Sequence, residues 1–201
     1  MSSELPFSAP CERNKDVIHE QLASYFKKLD SVFEIGSGTA QHAIHFAKQH
    51  PDLSWQTSDR KDYIAGIEAQ LNAAKQKNVL PPITLDVDQS EWLNLPKQYP
   101  AVFTANTFHI MPWRSVENFF NGLPKLVNQG GYLFIYGPFK YDGEFTSQSN
   151  ADFDESLRSR GVGSAIRNFE AISDAANRVG FKLIDDISMP ANNQLLIWQM
   201  K

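Results

Sequence analysis

Apolar residues recur along this chain in two alternating rhythms. Val17, Ile18, Leu22, Tyr25, Phe26 and Leu29 return every three to five positions, which predicts a helix over 15–29 behind an irregular arm, 1–14. A short apolar run at 31–35 predicts a buried strand. Next comes a helix over 39–49 with Ala43, Ile44 and Ala47 on one face, stopped by Pro51. The alternation continues with a strand over 53–57, a helix over 63–76 carrying Ile64, Ile67, Leu71 and Ala74, and strands over 83–85 and 101–105. A helix over 116–127, closed by Gly130 and Gly131, leads to a strand over 132–136. Helices over 152–159 and 169–179 precede two closing strands, 182–187 and 194–200, joined through Pro190, Ala191, Asn192 and Asn193.

Strands alternating with helices imply parallel βαβ units in an α/β fold, with helices on both faces of the sheet. Only a turn separates the last two strands, so they should pair antiparallel. A seven-stranded, mostly parallel sheet with an antiparallel C-terminal hairpin is the Rossmann-like class I methyltransferase order. The length of 201 residues suits one domain over 1–201, with residues 1–14 as its arm. A hydrophobic share of 42% argues against disorder. The net charge of −4 and pI of about 5.7 give no sign of phosphate-backbone binding. Lys140, Arg158, Arg160 and Arg167 are too scattered along the chain to read as a basic patch, so no nucleic-acid partner is expected. The single cysteine, Cys11, excludes an intrachain disulfide and fits a reducing compartment. It reads as a reactive thiol or as a small residue near a loose terminus. With no secretory signal and no apolar run of roughly 18 residues, the expected location is cytoplasmic, away from a membrane.

In open α/β sheets ligands bind beyond the carboxyl ends of the strands, so the loops there carry the chemistry. The first runs Glu34-Ile-Gly-Ser-Gly-Thr-Ala40. Gly36 and Gly38, flanking Ser37, let the backbone approach a bulky ligand. Gln41 stands where a dinucleotide binder places its third glycine. The loop therefore argues for a nucleoside cofactor other than NAD or FAD, and S-adenosylmethionine (SAM) fits best. Glu34 could pair with the SAM ammonium, or serve as a cap or ion-pair partner; amides of the next helix would face the SAM carboxylate. Asp59, beside Arg60, lies 23 positions after Gly36, near the roughly 20 expected of an acid gripping ribose hydroxyls. A helix cap is its other reading. In the third loop Asp86 would accept from adenine's amine and the Val87 amide would donate to a ring nitrogen, with Asp88 competing for the first role.

The fourth loop, Asn106-Thr107-Phe108-His109, stands where the sulfonium and the acceptor should meet. It lacks the paired prolines common in enzymes that methylate amide or base nitrogens, which argues against DNA, rRNA or glutamine as acceptor. His109 is a candidate general base, or a histidine bonded to backbone. Residues 137–150, with Tyr141, Asp142 and Phe145, resemble a substrate lid. Phe108, Trp113, Tyr141 and Phe145 line a pocket for a planar acceptor or belong to the core. Asn192 and Asn193 reach the pocket or make a turn. His42 and His45, three apart, lack a third ligand at metal spacing; no metal is expected, and His42 lines the cofactor cleft.

These loops together resemble a small methyltransferase-like family of unknown function found in proteobacteria and, in related form, in animals. The carrying segments are Phe7 to Lys15, Glu34 to His42, Trp55 to Arg60, Ala105 to Trp113, Tyr136 to Gly143, Phe145 to Asn150 and Met189 to Asn193. The match runs nearly end to end. It departs at Ala40, where glycine is usual and where a helical backbone would tolerate alanine. The resemblance implies a class I fold and SAM binding, and it supplies no substrate. It draws Arg13, Asn14 and Lys15 toward the cleft: the arm would fold over it, with Arg13 clamping the cofactor carboxylate or an acidic substrate. The expected function is SAM-dependent methyl transfer to a small molecule, with His109 and Asn106, Tyr136 or Asp142 orienting or deprotonating the acceptor. The alternative is a non-catalytic SAM-binding interaction module.

Overall fold

Every predicted strand has a counterpart in the computed structural model, which describes residues 5–89, 95 and 97–201. Two compact units emerge: Met1–Asp86 with Tyr99–Phe103, and Val87–Gln98 with Thr104–Lys201. The first holds α1 (Ala9–Phe26), β1 (Ser31–Glu34), α2 (Gln41–Gln49), β2 (Ser54–Asp59), α3 (Lys61–Ala74) and β3 (Val79–Thr84). Strand β4 (Tyr99–Ala105) follows. The second unit continues with α4 (Trp113–Leu126), β5 (Val127–Gly137), β6 (Phe139–Tyr141), β7 (Glu144–Phe145) and α5 (Gln148–Arg158). It closes with β8 (Arg167–Asn168), α6 (Phe169–Arg178), β9 (Phe181–Met189) and β10 (Asn193–Met200).

The hydrogen-bonded order is β3-β2-β1-β4-β5-β10-β9. Strand β1 pairs parallel with β2 and β4, and β10 pairs antiparallel with β5 and β9. The sheet is thus the expected mostly parallel one with an antiparallel terminal hairpin, with helices on both faces. In the first unit Phe26, Phe46, Trp55 and Phe103 form one buried aromatic cluster, with ring centroids 5.3–5.7 Å apart. In the second, Phe119 and Phe120 take Phe108 between them at 5.0 and 5.6 Å. Phe108 is therefore core. Among the described residues no helix is long and apolar enough to cross a membrane.

Four local expectations change. Helix α1 starts at Ala9 because Ser8 caps it and Pro10 suits its first turn, so residues 9–14 are helical and not irregular; residues 1–4 of the expected arm lie outside the described residues. Gly130 and Gly131 do not end α4. That helix stops at Leu126 and the chain passes directly into β5, with Gly130 at φ 77 inside the strand. Strand β3 begins at Val79, ahead of Pro81 and Pro82, which masked it in the sequence. Residues 137–150 are not an irregular loop. Strands β6 and β7 form a hairpin, β8 joins it in a small second sheet, and α5 already starts at Gln148.

Candidate functional site

The glycine loop leaves β1 with Gly36 at φ 78 and Gly38 at φ 57, conformations that favour glycine. Ala40, at φ 57, is left-handed too. The alanine is thus not excused by a helical backbone, and holding it there costs about 1 kcal/mol. The amides of Gly36 and Ser37 donate to the Ser58 carbonyl, both at 3.0 Å, and the Gly38 amide donates to Asp59 Oδ2 at 2.7 Å. Asp59 Oδ1 accepts from the Arg60 amide at 2.7 Å, while the Arg60 side chain stacks on Tyr63. Asp59 is pushed above the ordinary carboxylate value by burial, against those two amides. Its first role is to brace the loop against the end of β2. Past the loop, the amides of Gln41, His42 and Ala43 donate to no protein acceptor among the described residues. A side chain at Gly38 would meet nothing within 4 Å, so the backbone there faces open space.

Glu34 ends β1, is 1% exposed and has no cation partner among the described residues. Trp55 Nε1 donates to its Oε2 at 3.1 Å, and Ser37 also bonds it. Burial dominates over these bonds and pushes its carboxyl up to about 7.

Helix α1 lies against this loop. Gln41 Oε1 accepts from the Ser8 amide at 2.6 Å and from Thr39 Oγ1 at 2.8 Å, and its Nε2 donates to Glu12. Gln41 thus replaces a glycine with a strut between the loop and the start of α1. Asn14 is buried, and its Oδ1 accepts from His42 Nε2 at 2.7 Å. Burial holds the His42 imidazole down to about 3, so it stays neutral. His45 instead faces Asp16 at 3.2 Å, so the two histidines diverge. Arg13 is exposed and makes no ion pair among the described residues. Cys11 is half-buried and its thiol is pushed up by burial, which makes it a poor nucleophile.

In the second unit, Asn106 takes φ 59 and its amide donates to the Tyr136 carbonyl at 2.8 Å. Thr107 Oγ1 meets Thr104 Oγ1 at 2.7 Å. His109 is 7% exposed, stands edge-on to Phe153 at 5.3 Å, and its ring nitrogens bond no protein group among the described residues. Burial, then the charges of Arg167 and Arg160, hold it down to about 4. The turn that carries it is laced to residues 163–167. The Ala165 amide donates to the His109 carbonyl at 3.0 Å and Ser164 Oγ to Ile110 at 2.8 Å. Arg167 donates to the carbonyls of Phe108 (3.0 Å), Met111 and Gly163. Arg167 carried no signal in the sequence, because it is remote from His109 along the chain.

Other candidates find local duties. Asp142 occupies the left-handed turn of the β6–β7 hairpin at φ 51, exposed, with its amide on Glu170. Tyr141 stacks on Phe169 and donates to both oxygens of Asp186. Asp88 accepts from Ser115 and Asn118 of α4 at 2.7 and 2.9 Å. Leu85 donates its amide to the Asp59 carbonyl at 2.8 Å, which places Asp86 just past the paired end of β3; Val87 begins the second unit. Asn193 bonds Pro190 and Ala191 within its own turn, and Asn192 bonds Asn150 and Ser149.

Solved structures share this fold. An O-methyltransferase family protein from Burkholderia thailandensis aligns with a TM-score of 0.84 over 95% of this chain and 56% of that one, at 18% identity. An O-methyltransferase family 2 protein from Planctomyces limnophilus, in complex with apigenin, gives 0.73 over 93% and 62%, at 12% identity. PigF with SAH gives 0.74 over 92% and 57%, at 12% identity. The chain spans just over half the length of these structures, and at such identities the likeness is one of fold. Residues 5–200 match the family described as "Protein of unknown function (DUF938)", and the chain belongs to that family.

Proposed function

We propose that this protein is a SAM-dependent methyltransferase acting on a small molecule. One observation carries the reading: Glu34, a carboxyl buried beside a glycine loop with no cation partner among the described residues. Such an acid is costly unless a ligand brings the positive charge. The amino-acid ammonium of SAM would do so, and the open space before Gly38 suits a ligand pressed against backbone. Asp59 would hold the ribose hydroxyls with the lone pairs its two amides leave. Arg60 follows it in the same loop. Asp86 would accept from the adenine amine, since Asp88 serves α4, and the Val87 amide would meet the ring. Arg13, without an ion pair among the described residues, would meet the cofactor carboxylate, aided by the first amides of α2. Ser37 and Asn14 would act indirectly, through Glu34 and His42, and Asn106 and Thr107 would shape the reacting end.

Bound SAM would supply an electrophilic methyl group on a sulfonium. His109, neutral and with ring nitrogens that bond no protein group among the described residues, would accept a hydrogen bond from the acceptor's hydroxyl and orient it. Asn106 and Tyr136 would frame that position. The fold likeness to O-methyltransferases agrees with an oxygen acceptor, and the solved PigF structure holds SAH.

His109, held down to about 4, is a weak base at neutral pH. That favours one second reading, a SAM-binding module without turnover. Calorimetric titration with SAM, SAH and NAD tests the cofactor; transfer from radiolabelled methyl-SAM to a panel of phenols separates the two readings. Saturable SAM binding with no NAD binding is expected. Binding of neither SAM nor SAH would overturn the proposal.

A further inference from the structure

The scattered cations do not stay scattered. Lys140, Arg158 and Arg167 line one cavity of about 520 Å³, a small-molecule size, and among the described residues no carboxylate lines it with them. Each comes from a different element. Lys140 sits on β6 in register with Asn168 on β8, Arg167 opens β8, and Arg158 ends α5. Lys140 Nζ stands over the Phe145 ring at 5.1 Å and makes no ion pair among the described residues. Arg167 spends its donors on carbonyl oxygens, and the acid that acts on its charge is Asp154, shared with Arg158. Arg158 pairs with Asp154 at 2.5 Å, and that one acid against Lys140, Arg158 and Arg167 leaves the cavity wall a net positive charge. Burial and the neighbouring Arg158 charge both pull the Arg167 guanidinium below its ordinary value.

The rest of the lining suits the same ligand. Gly161 and Gly163 stand at φ 70 and 79, and the Gly163 and Ser164 amides donate to no protein acceptor among the described residues. Trp113 supplies an aromatic wall. Like charges gathered in a cavity repel one another and are stabilised when an anion joins them. A cavity, in a protein of net charge −4, offers no extended stripe for a nucleic-acid backbone.

We propose that this cavity is a binding site for a small molecule bearing a carboxylate or phosphate group, held by Lys140 and Arg158 against the Arg167 wall. It stands independently of methyl transfer.

The test uses the full-length, ¹⁵N-labelled protein, titrated with inorganic phosphate and with malonate at constant ionic strength. The Trp113 indole resonance, assigned through Trp113→Phe, reports from inside the cavity. A saturable shift is expected, about tenfold weaker in Lys140→Gln and unchanged in Lys182→Gln, an exposed lysine on β9. Lys140→Gln removes only the contact with Phe145, so it should fold. Saturation by phosphate alone assigns a phosphate-bearing ligand, by malonate alone a carboxylate, and by both a site that reads charge. No saturable shift with either anion, or equal affinity in Lys140→Gln, overturns the proposal.

Discussion

Glu34 is the residue at which folding and binding pull apart. Its folded pKa of about 7 lies above the ordinary 4.5, so its stability contribution is complete below pH 4.5 and lost as pH rises through 7. At pH 8 the ionised, buried carboxylate costs about 3 kcal/mol. Glu34→Gln should therefore raise Tm at pH 8 by roughly 5–10 °C and leave it unchanged near pH 4.5. Thermal unfolding at both values checks this, and an equal Tm at pH 8 would remove the claim. The same variant should lose SAM binding. In the wild type, SAM affinity should weaken about tenfold for each pH unit below 7, which calorimetry across that range would read.

The elements that were legible are those whose apolar period is long. Strands β1, β4, β9 and β10 and helices α2, α3 and α6 follow from spacing, because burial of one face dictates it. What escaped the sequence depends on contacts remote along the chain. Pro81 and Pro82 read as a break although β3 runs through them. The β6–β7 hairpin read as plain loop because each strand is too short for a period. The glycine loop, Glu34 and Asp59 were readable, since local backbone need fixes residue type. Arg167 and the strut role of Gln41 were not. Two predictions follow from those braces. Gln41→Ala removes two bonds between the start of α1 and the loop and one within the loop; it should cost about 1–2 kcal/mol in chemical denaturation and speed amide exchange in the first turn of α1. Arg167→Gln removes a charge that depresses His109, so the His109 pKa should rise above about 4 while burial keeps it below 6.5. An NMR titration of the imidazole that showed no rise would refute the coupling.

At the scale of the whole chain, all five histidines are held below their ordinary value, chiefly by burial. A depressed folded pKa means stability that is present above 6.5 and lost as pH falls. His42 and His109, with values of about 3 and 4, each withdraw about 2 kcal/mol between pH 7 and pH 5. Glu34 acts in the opposite sense over the same window and returns about 2 kcal/mol. From pH 7 to 5 Glu34→Gln, with no returning acid, should thus lose about 2 kcal/mol more than the wild type. Urea unfolding at the two pH values measures both. Contributions from His19, His45 and His50 enter the two proteins alike and cancel in the comparison. Equal losses in the two proteins would mean that Glu34 is ionised at pH 5. In that case the buried acid already has a counter-charge, and the argument for a cationic ligand at the glycine loop falls with it.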